Sequence, residues 1–169
     1  DRVNKETYPL GSMVTYQFPA RGDMCAVKLV WCDGGLRPPR PEGLDDGETL
    51  GDNGCMLVGD KGFILGNTVY PKARRDEYKE PAPSIPRSIG HYKEWIEACK
   101  GGKSAGSNFP DWAGNLAEAV LLGNVALRVQ LREKLTQVKL LWDAPNLKFT
   151  NLPEANEFLH RPYRQGWSL

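Results

Sequence analysis

The chain has 169 residues, 22 Lys and Arg against 21 Asp and Glu, a formal net charge of +1 and 40% hydrophobic residues. That length supports one domain over residues 1–169 with a proper core, burying roughly two-thirds of the surface its unfolded form exposes. Acids and bases are interspersed, so no basic face supplies the counterion release on which nucleic-acid binding depends; the longest strongly apolar run, Leu116 to Leu127, is too short for a bilayer and is broken by Glu118, Gly123 and Asn124.

Neither nucleic acid nor a membrane is expected as a partner, and the chain reads as soluble. The four cysteines form no C-x-x-C pair and there are two histidines, so no metal site is expected. Cys25 and Cys32 on one strand stand roughly 23 Å apart, beyond disulfide reach, and read as free thiols. The first residue is Asp rather than Met and DRVNKET has no apolar signal core, so the amino terminus reads as cut, any targeting signal with it, and the compartment is left open.

In chain order, Val14, Tyr16 and Phe18 alternate with Met13, Thr15 and Gln17 between Ser12 and Phe18, the period of a strand with one more apolar face. Cys25 to Trp31 repeats the pattern, with Cys25, Val27, Leu29 and Trp31 on one side. The two strands are expected to pair as an antiparallel hairpin around Pro19 to Asp23. After Asp33-Gly34-Gly35, the segment LRPPRPEGLDDGETLGDNG follows neither period and reads as a long ordered loop or a mobile flap. Cys55 to Val58 and Phe63 to Leu65 flank Gly59-Asp60-Lys61-Gly62 and predict a second hairpin, extended by Thr68 to Tyr70. KARRDEYKEPAPSIP is charged, then proline-rich, and reads as a surface connection in which Arg74 and Arg75 beside Asp76 and Glu77 are solvated.

Ser88 is placed to cap a helix whose Tyr92, Trp95, Ile96 and Cys99 fall on one apolar stripe, ended by Gly101-Gly102. A second helix starts near Pro110 and is apolar nearly all round from Leu116 to Leu127, which predicts burial on most sides, with Gly123 and several alanines admitting a close neighbour. Gln137 to Trp142 predicts a strand, Asp143 to Asn146 a turn, Leu147 to Thr150 a short strand, and Pro153 to about His160 a brief helix capped by Asn151 or Leu152. The tail RPYRQGWSL is aromatic and basic. Strands first and helices mostly last predict an α+β fold, a mostly antiparallel open sheet with helices packed on one face.

Several stretches, in order, carry a resemblance: LVGDKGFIL, IPRSIGHYKEWIEACKGGKSAGSNF, EAVLLGNVALR, LKFTNLPEANEFL and RPYRQGWSL, with GGLRPPRP as weaker support. Together they resemble the carboxy-terminal domain of the bacterial branch of the glucose-fructose oxidoreductase, inositol dehydrogenase and MocA family across almost the whole chain. RVQLREKLTQVKLLWDAP is longer than that family's usual link between buried helix and next strand, and is expected to extend the helix. The resemblance implies a parent oxidoreductase that uses NAD or NADP on a hydroxyl of a sugar or polyol, with a Rossmann domain as the partner half and homo-oligomeric assembly. No G-x-G-x-x-G turn occurs in this sequence, nor does the family's E-K-P motif, so no catalytic or cofactor-binding residue is assigned to it, and this part alone is not expected to turn over. The family's proton-handling G-D-x-G-x-H segment is mimicked by Gly51-Asp52-Asn53-Gly54-Cys55-Met56, but Met56 cannot take a proton.

For substrate contact the sequence offers Trp31 with Arg37 and Arg40, because an aromatic face and planar guanidinium donors suit a sugar's apolar patches and hydroxyls, and it offers His91 in the first turn of a helix; the alternatives are arginines solvated on a proline-stiffened loop and a structural or exposed histidine. His160 reads as a surface residue. Arg161, Tyr163, Arg164 and Trp167 carry enough aromatic surface to dock, either onto a missing Rossmann half or onto this domain's own sheet. Two other roles stand beside the oxidoreductase: an NAD-dependent glycosidase of the same family, and a free-standing carbohydrate-binding or interaction module that presents Tyr16, Phe18 and Trp31.

Overall fold

The computed structural model describes residues 7–133 and 137–167, leaving aside the side chain of residue 133. The fold is α+β, and every strand pair among the described residues is antiparallel, divided among a two-stranded, a three-stranded and a second two-stranded sheet. The chain forms two compact units, one of Leu10–Arg87 and one of Asp1–Pro9 with Ser88–Leu169. The first holds most of the strands and the second most of the helices.

In the strand unit, β1 (Met13–Phe18) and β2 (Val27–Cys32) form the expected hairpin, its register running from Met13 opposite Cys32 to Phe18 opposite Val27. Cys25 and Ala26 fall outside β2, because the bridge between Arg21 and Met24 closes the turn and releases the chain late. At its open end the ribbon is clasped by Asp33, whose carboxylate accepts from the Ser12 backbone N–H at 2.7 Å and from the Ser12 hydroxyl at 2.8 Å. Gly34 follows with φ 63, and a Cβ there would stand 1.9 Å from the Leu10 carbonyl oxygen, so the clasp closes only around glycine.

The second sheet is β3 (Met56–Gly59), β4 (Gly62–Leu65) and β5 (Thr68–Tyr70), an ordered meander. Gly62 again marks a close approach, a Cβ there lying 2.2 Å from the Tyr70 carbonyl oxygen. The unit's core is small: Leu44, Phe63 and Tyr70 are buried, with Met56 and Leu65 packed against them, and the Phe63 and Tyr70 rings stack at 4.9 Å. The stretch expected to be a plain connection contains a short helix, α1 (Lys72–Glu77), which buries no residue and therefore leaves no apolar period in the sequence. Arg75 on it is not merely solvated: it pairs with Asp45 at 3.0 Å and lies over the Tyr70 ring at 5.4 Å.

In the helical unit, α2 (His91–Cys99) begins after Gly90 rather than at a Ser88 cap, and the Ser88 hydroxyl instead accepts the Gly90 N–H at 3.0 Å. A π-turn over Phe109–Ala113, capped by Asn108 accepting from the Asp111 N–H at 2.9 Å, leads into α3 (Gly114–Glu133), so the apolar helix is extended as expected. Its burial departs from expectation. Val125 and Val129 are buried one turn apart, whereas Leu116, Val120 and Leu121 on the same apolar helix are exposed. The apolar stripe of α2 is likewise open, with Trp95 65% exposed.

The buried side of α3 packs with Phe149 and Ala155, joined by Leu122, Trp142 and Phe158. The expected strand from 137 to 142 contracts to β6 (Trp142–Asp143), paired with β7 (Lys148–Phe149). Asn151 takes over the pairing: its side chain accepts from the Leu141 N–H at 2.8 Å and donates to the Lys139 carbonyl at 2.7 Å. The expected brief helix is present as a 3-10 helix, Pro153–Phe158, and follows Leu152, which makes no side-chain cap. Trp142 is tied to α3 by its indole N–H, which donates to Glu118 at 2.7 Å. No described helix is long and apolar enough to cross a membrane. The link through 134–136, the first six residues and the last two of the tail lie outside the described residues.

Burial separates side chains that hold the helical unit from those that do not. Phe149→Ala is expected to cost roughly 3–5 kcal/mol in urea unfolding followed by far-ultraviolet circular dichroism, whereas Trp95→Ala, on the open stripe, stays within about 0.5 kcal/mol of the parent chain.

Candidate functional site

The pairing of β1 with β2 brings the two apolar sides of the ribbon together. Val14 opposes Trp31, Tyr16 opposes Leu29 and Phe18 opposes Val27, so one face carries six apolar side chains in three cross-strand pairs. Tyr16 and Phe18 stack with ring centroids 6.3 Å apart and planes 10° apart. Trp31 is 52% exposed, and Phe18, Val27 and Leu29 are exposed beside it. An aromatic platform of this kind presents flat, polarisable surface to a partner or to the apolar patches of a sugar ring.

The two arginines expected beside Trp31 belong to the 33–54 loop, and no hydrogen bond or ring contact joins either to Trp31 among the described residues. Arg40 is committed inward, donating to the backbone carbonyls of Glu48, Leu44 (3.0 Å) and Asp45 (2.9 Å). It is an organiser of the loop, drawing three carbonyls onto one planar fork. Arg37 donates to the Leu50 carbonyl at 2.7 Å and pairs with Asp52, so the Gly51–Gly54 segment that mimics a proton-handling motif supplies a structural partner instead. Asp52 is 86% exposed, which makes that pair weak and leaves Arg37 reachable by solvent.

The loop is fastened to the core as well. Tyr70 donates its phenolic hydrogen to Glu48 at 2.7 Å, and that bond, with burial, holds the phenol above its ordinary range. The loop is thus ordered from both ends, by Arg40 within it and by Tyr70 and Arg75 beneath it.

In the helical unit, His91 makes an edge-on contact with Tyr92 at 5.3 Å and stands exposed. Glu94, one turn on, is the better-placed group. Its carboxylate accepts from the Gly106 N–H at 3.1 Å, and hydrogen bonds first from Ser88 and then from Gly106 hold it below the usual carboxylate range, with His91 adding to the effect. In the tail, Arg164 stacks over Trp167 at 4.7 Å and both Tyr163 and Trp167 are half-exposed or more, so the aromatic surface is only partly self-covered; Arg161 is exposed beside them.

A cleft of about 330 Å³ in the helical unit was not singled out by any motif. Thr7 to Pro9, the carboxy-terminal half of α3 and Phe158 line it. Its signal in the sequence is slight: Asn124 and Arg128 stand four apart within an otherwise apolar stretch, which puts both on one side of a helix.

Among the described residues no group of three or more His, Cys, Asp or Glu is placed to hold a metal ion. Nor do the antiparallel pairs provide the parallel strand, turn and helix that seat a dinucleotide pyrophosphate. Comparison with family models and with curated proteins finds no match to the chain.

Two outcomes follow from these contacts. Arg40→Ala is expected to loosen the 33–54 loop by about 1–2 kcal/mol and to speed its limited proteolysis several-fold, with Arg37→Ala having a much smaller effect; equal effects would contradict the inward commitment of Arg40. Because Glu94 has a lowered value in the folded chain, its contribution is complete above the usual carboxylate range and is lost as pH falls through that lowered value. The exchange protection factor of the Gly106 amide should therefore fall in the parent chain as pH drops through that lowered value, and in Glu94→Ala it should already be low at neutral pH.

Proposed function

We propose that the chain is a substrate-binding and assembly domain of an NAD(P)-dependent oxidoreductase acting on a sugar or polyol hydroxyl. The observation that carries the proposal is the aromatic face of the β1–β2 ribbon, where Phe18 and Trp31 are exposed beside a half-buried Tyr16. It is joined by the ordered stretches that resemble the family's carboxy-terminal domain. In this account Trp31 offers its ring to substrate, Arg37 is the guanidinium left within reach of solvent for its hydroxyls, and Arg40 positions the loop that carries Arg37. Hydride transfer and proton handling belong to residues of a Rossmann half, and the present residues bind and orient.

The open apolar stripes of α2 and α3 support the assembly part of the proposal, because monomeric proteins seldom leave such surface in water. A Rossmann half and a second copy of the chain are the partners this surface suits, with the tail from Arg161 to Trp167 as a further contact. The same aromatic face favours a second reading, a carbohydrate-binding module that works without a nicotinamide.

The complete protein separates these readings. Incubated with NAD or NADP and a panel of sugar alcohols, it is expected to form reduced nicotinamide, and Trp31→Ala is expected to raise KM at least tenfold with kcat little changed. Sugar binding without any nicotinamide-dependent redox change would favour the module, and cleavage of aryl glycosides would favour the glycosidase variant.

A further inference from the structure

The cleft along α3 has a charge and shape that the proposed oxidoreductase role does not use. Its wall is one side of α3, where Asn124 and Arg128 stand one turn apart with Leu127 and Leu131 beside them, and Phe158 forms the base. Phe158 supports two guanidinium groups, Arg128 at 5.0 Å and Arg132 at 4.7 Å from the ring. Arg132 is neutralised by Glu157 at 2.7 Å and also donates to the Glu154 carbonyl. Arg128 has no acidic partner and no hydrogen-bond acceptor among the described residues, and Asn124 has no hydrogen-bond partner there either.

We propose that this cleft binds a small organic carboxylate, with its head on Arg128 and Asn124 and its hydrocarbon body against Leu127, Leu131 and Phe158. The guanidinium lying over Phe158, 5.0 Å from the ring centroid, is a planar fork matched to a carboxylate, and that contact reduces the ordering needed on binding. One unmet positive charge calls for a monoanion, because the second guanidinium is already balanced by Glu157. A dianionic phosphate would leave charge uncompensated, and a neutral alcohol, whose oxygen can accept a single hydrogen bond, would leave the positive charge of Arg128 unmet. The volume suits a ligand of modest size, at the lower end of the roughly 300–1,000 Å³ of small-molecule sites.

The test uses the 169-residue chain and three probes, hexanoate, 1-hexanol and inorganic phosphate, followed by heteronuclear NMR titration. Hexanoate is expected to shift the amides of α3 around Asn124 and Arg128 and to bind at least tenfold more tightly than either other probe. Arg128→Gln is expected to abolish that preference and Arg128→Lys to keep part of it. Because Arg128 is exposed and makes no hydrogen bond among the described residues, both variants should retain the parent melting temperature. In the parent chain, nuclear Overhauser contacts from hexanoate methylenes to the Leu127 and Leu131 methyls supply a second readout that needs no variant. Hexanol binding as tightly as hexanoate, phosphate binding as tightly, an unaltered Arg128→Gln, or no shift at about 10 mM hexanoate would each overturn the proposal.

Discussion

Two antiparallel strands with no third neighbour among the described residues bury little of themselves, and in this chain the register of β1 against β2 puts the apolar sides of both strands on the same face. A slip of one residue would divide those side chains between the faces and destroy the platform. The pairing is instead held at its open end, where Asp33 takes both the backbone and the hydroxyl hydrogens of Ser12 and Gly34 lets the chain pass the Leu10 carbonyl. Everything inferred about contact with a sugar depends on that register, because it brings Tyr16, Phe18 and Trp31 to one surface.

The rest of the strand unit relies on directed polar bonds more than on volume of core. Leu44, Phe63 and Tyr70 are its buried apolar residues, and the long loop is kept in place by guanidinium groups reaching carbonyls and carboxylates. Such clamps fix geometry with modest net stabilisation, since each replaces bonds to water. The helical unit follows the opposite economy: Val125, Val129, Phe149 and Ala155 make a continuous apolar seam, and polar bonds such as Trp142 to Glu118 trim its border. Both units leave apolar surface uncovered, in the ribbon face of one and in the stripes of α2 and α3 in the other.

Much of this was legible in the residues. Alternation placed β1 and β2 and the apolar face of each, glycines located the second hairpin, and Pro110 marked the approach to the long helix. Periodicity records which side chains are apolar and is silent about whether anything covers them, so Trp95 and Leu116 read as packed although they stand open. The helix at 72–77 escaped because it buries nothing, and the strand before Trp142 was overread because Asn151 substitutes a side-chain amide for a backbone partner. Arg40 looked like a ligand-binding residue because composition shows a donor without showing its acceptors, and those acceptors are carbonyls four to eight residues away in the same loop. The pair Asn124 and Arg128, without hydrogen-bond partners among the described residues, was hidden by the same limit in reverse, two polar residues in an apolar helix whose neighbours only the fold supplies.

The central claim is that the β1–β2 face is open in this chain and covered when the protein works. Hydroxyl-radical footprinting of Tyr16, Phe18 and Trp31 tests it directly, comparing the chain alone with the proposed oxidoreductase carrying a sugar alcohol. Heavy modification of Phe18 and Trp31 in the isolated chain, weaker modification of half-buried Tyr16, and strong protection of Trp31 in the complex is the predicted result. Equal modification of Trp31 in both, or protection already present in the isolated chain, would contradict it.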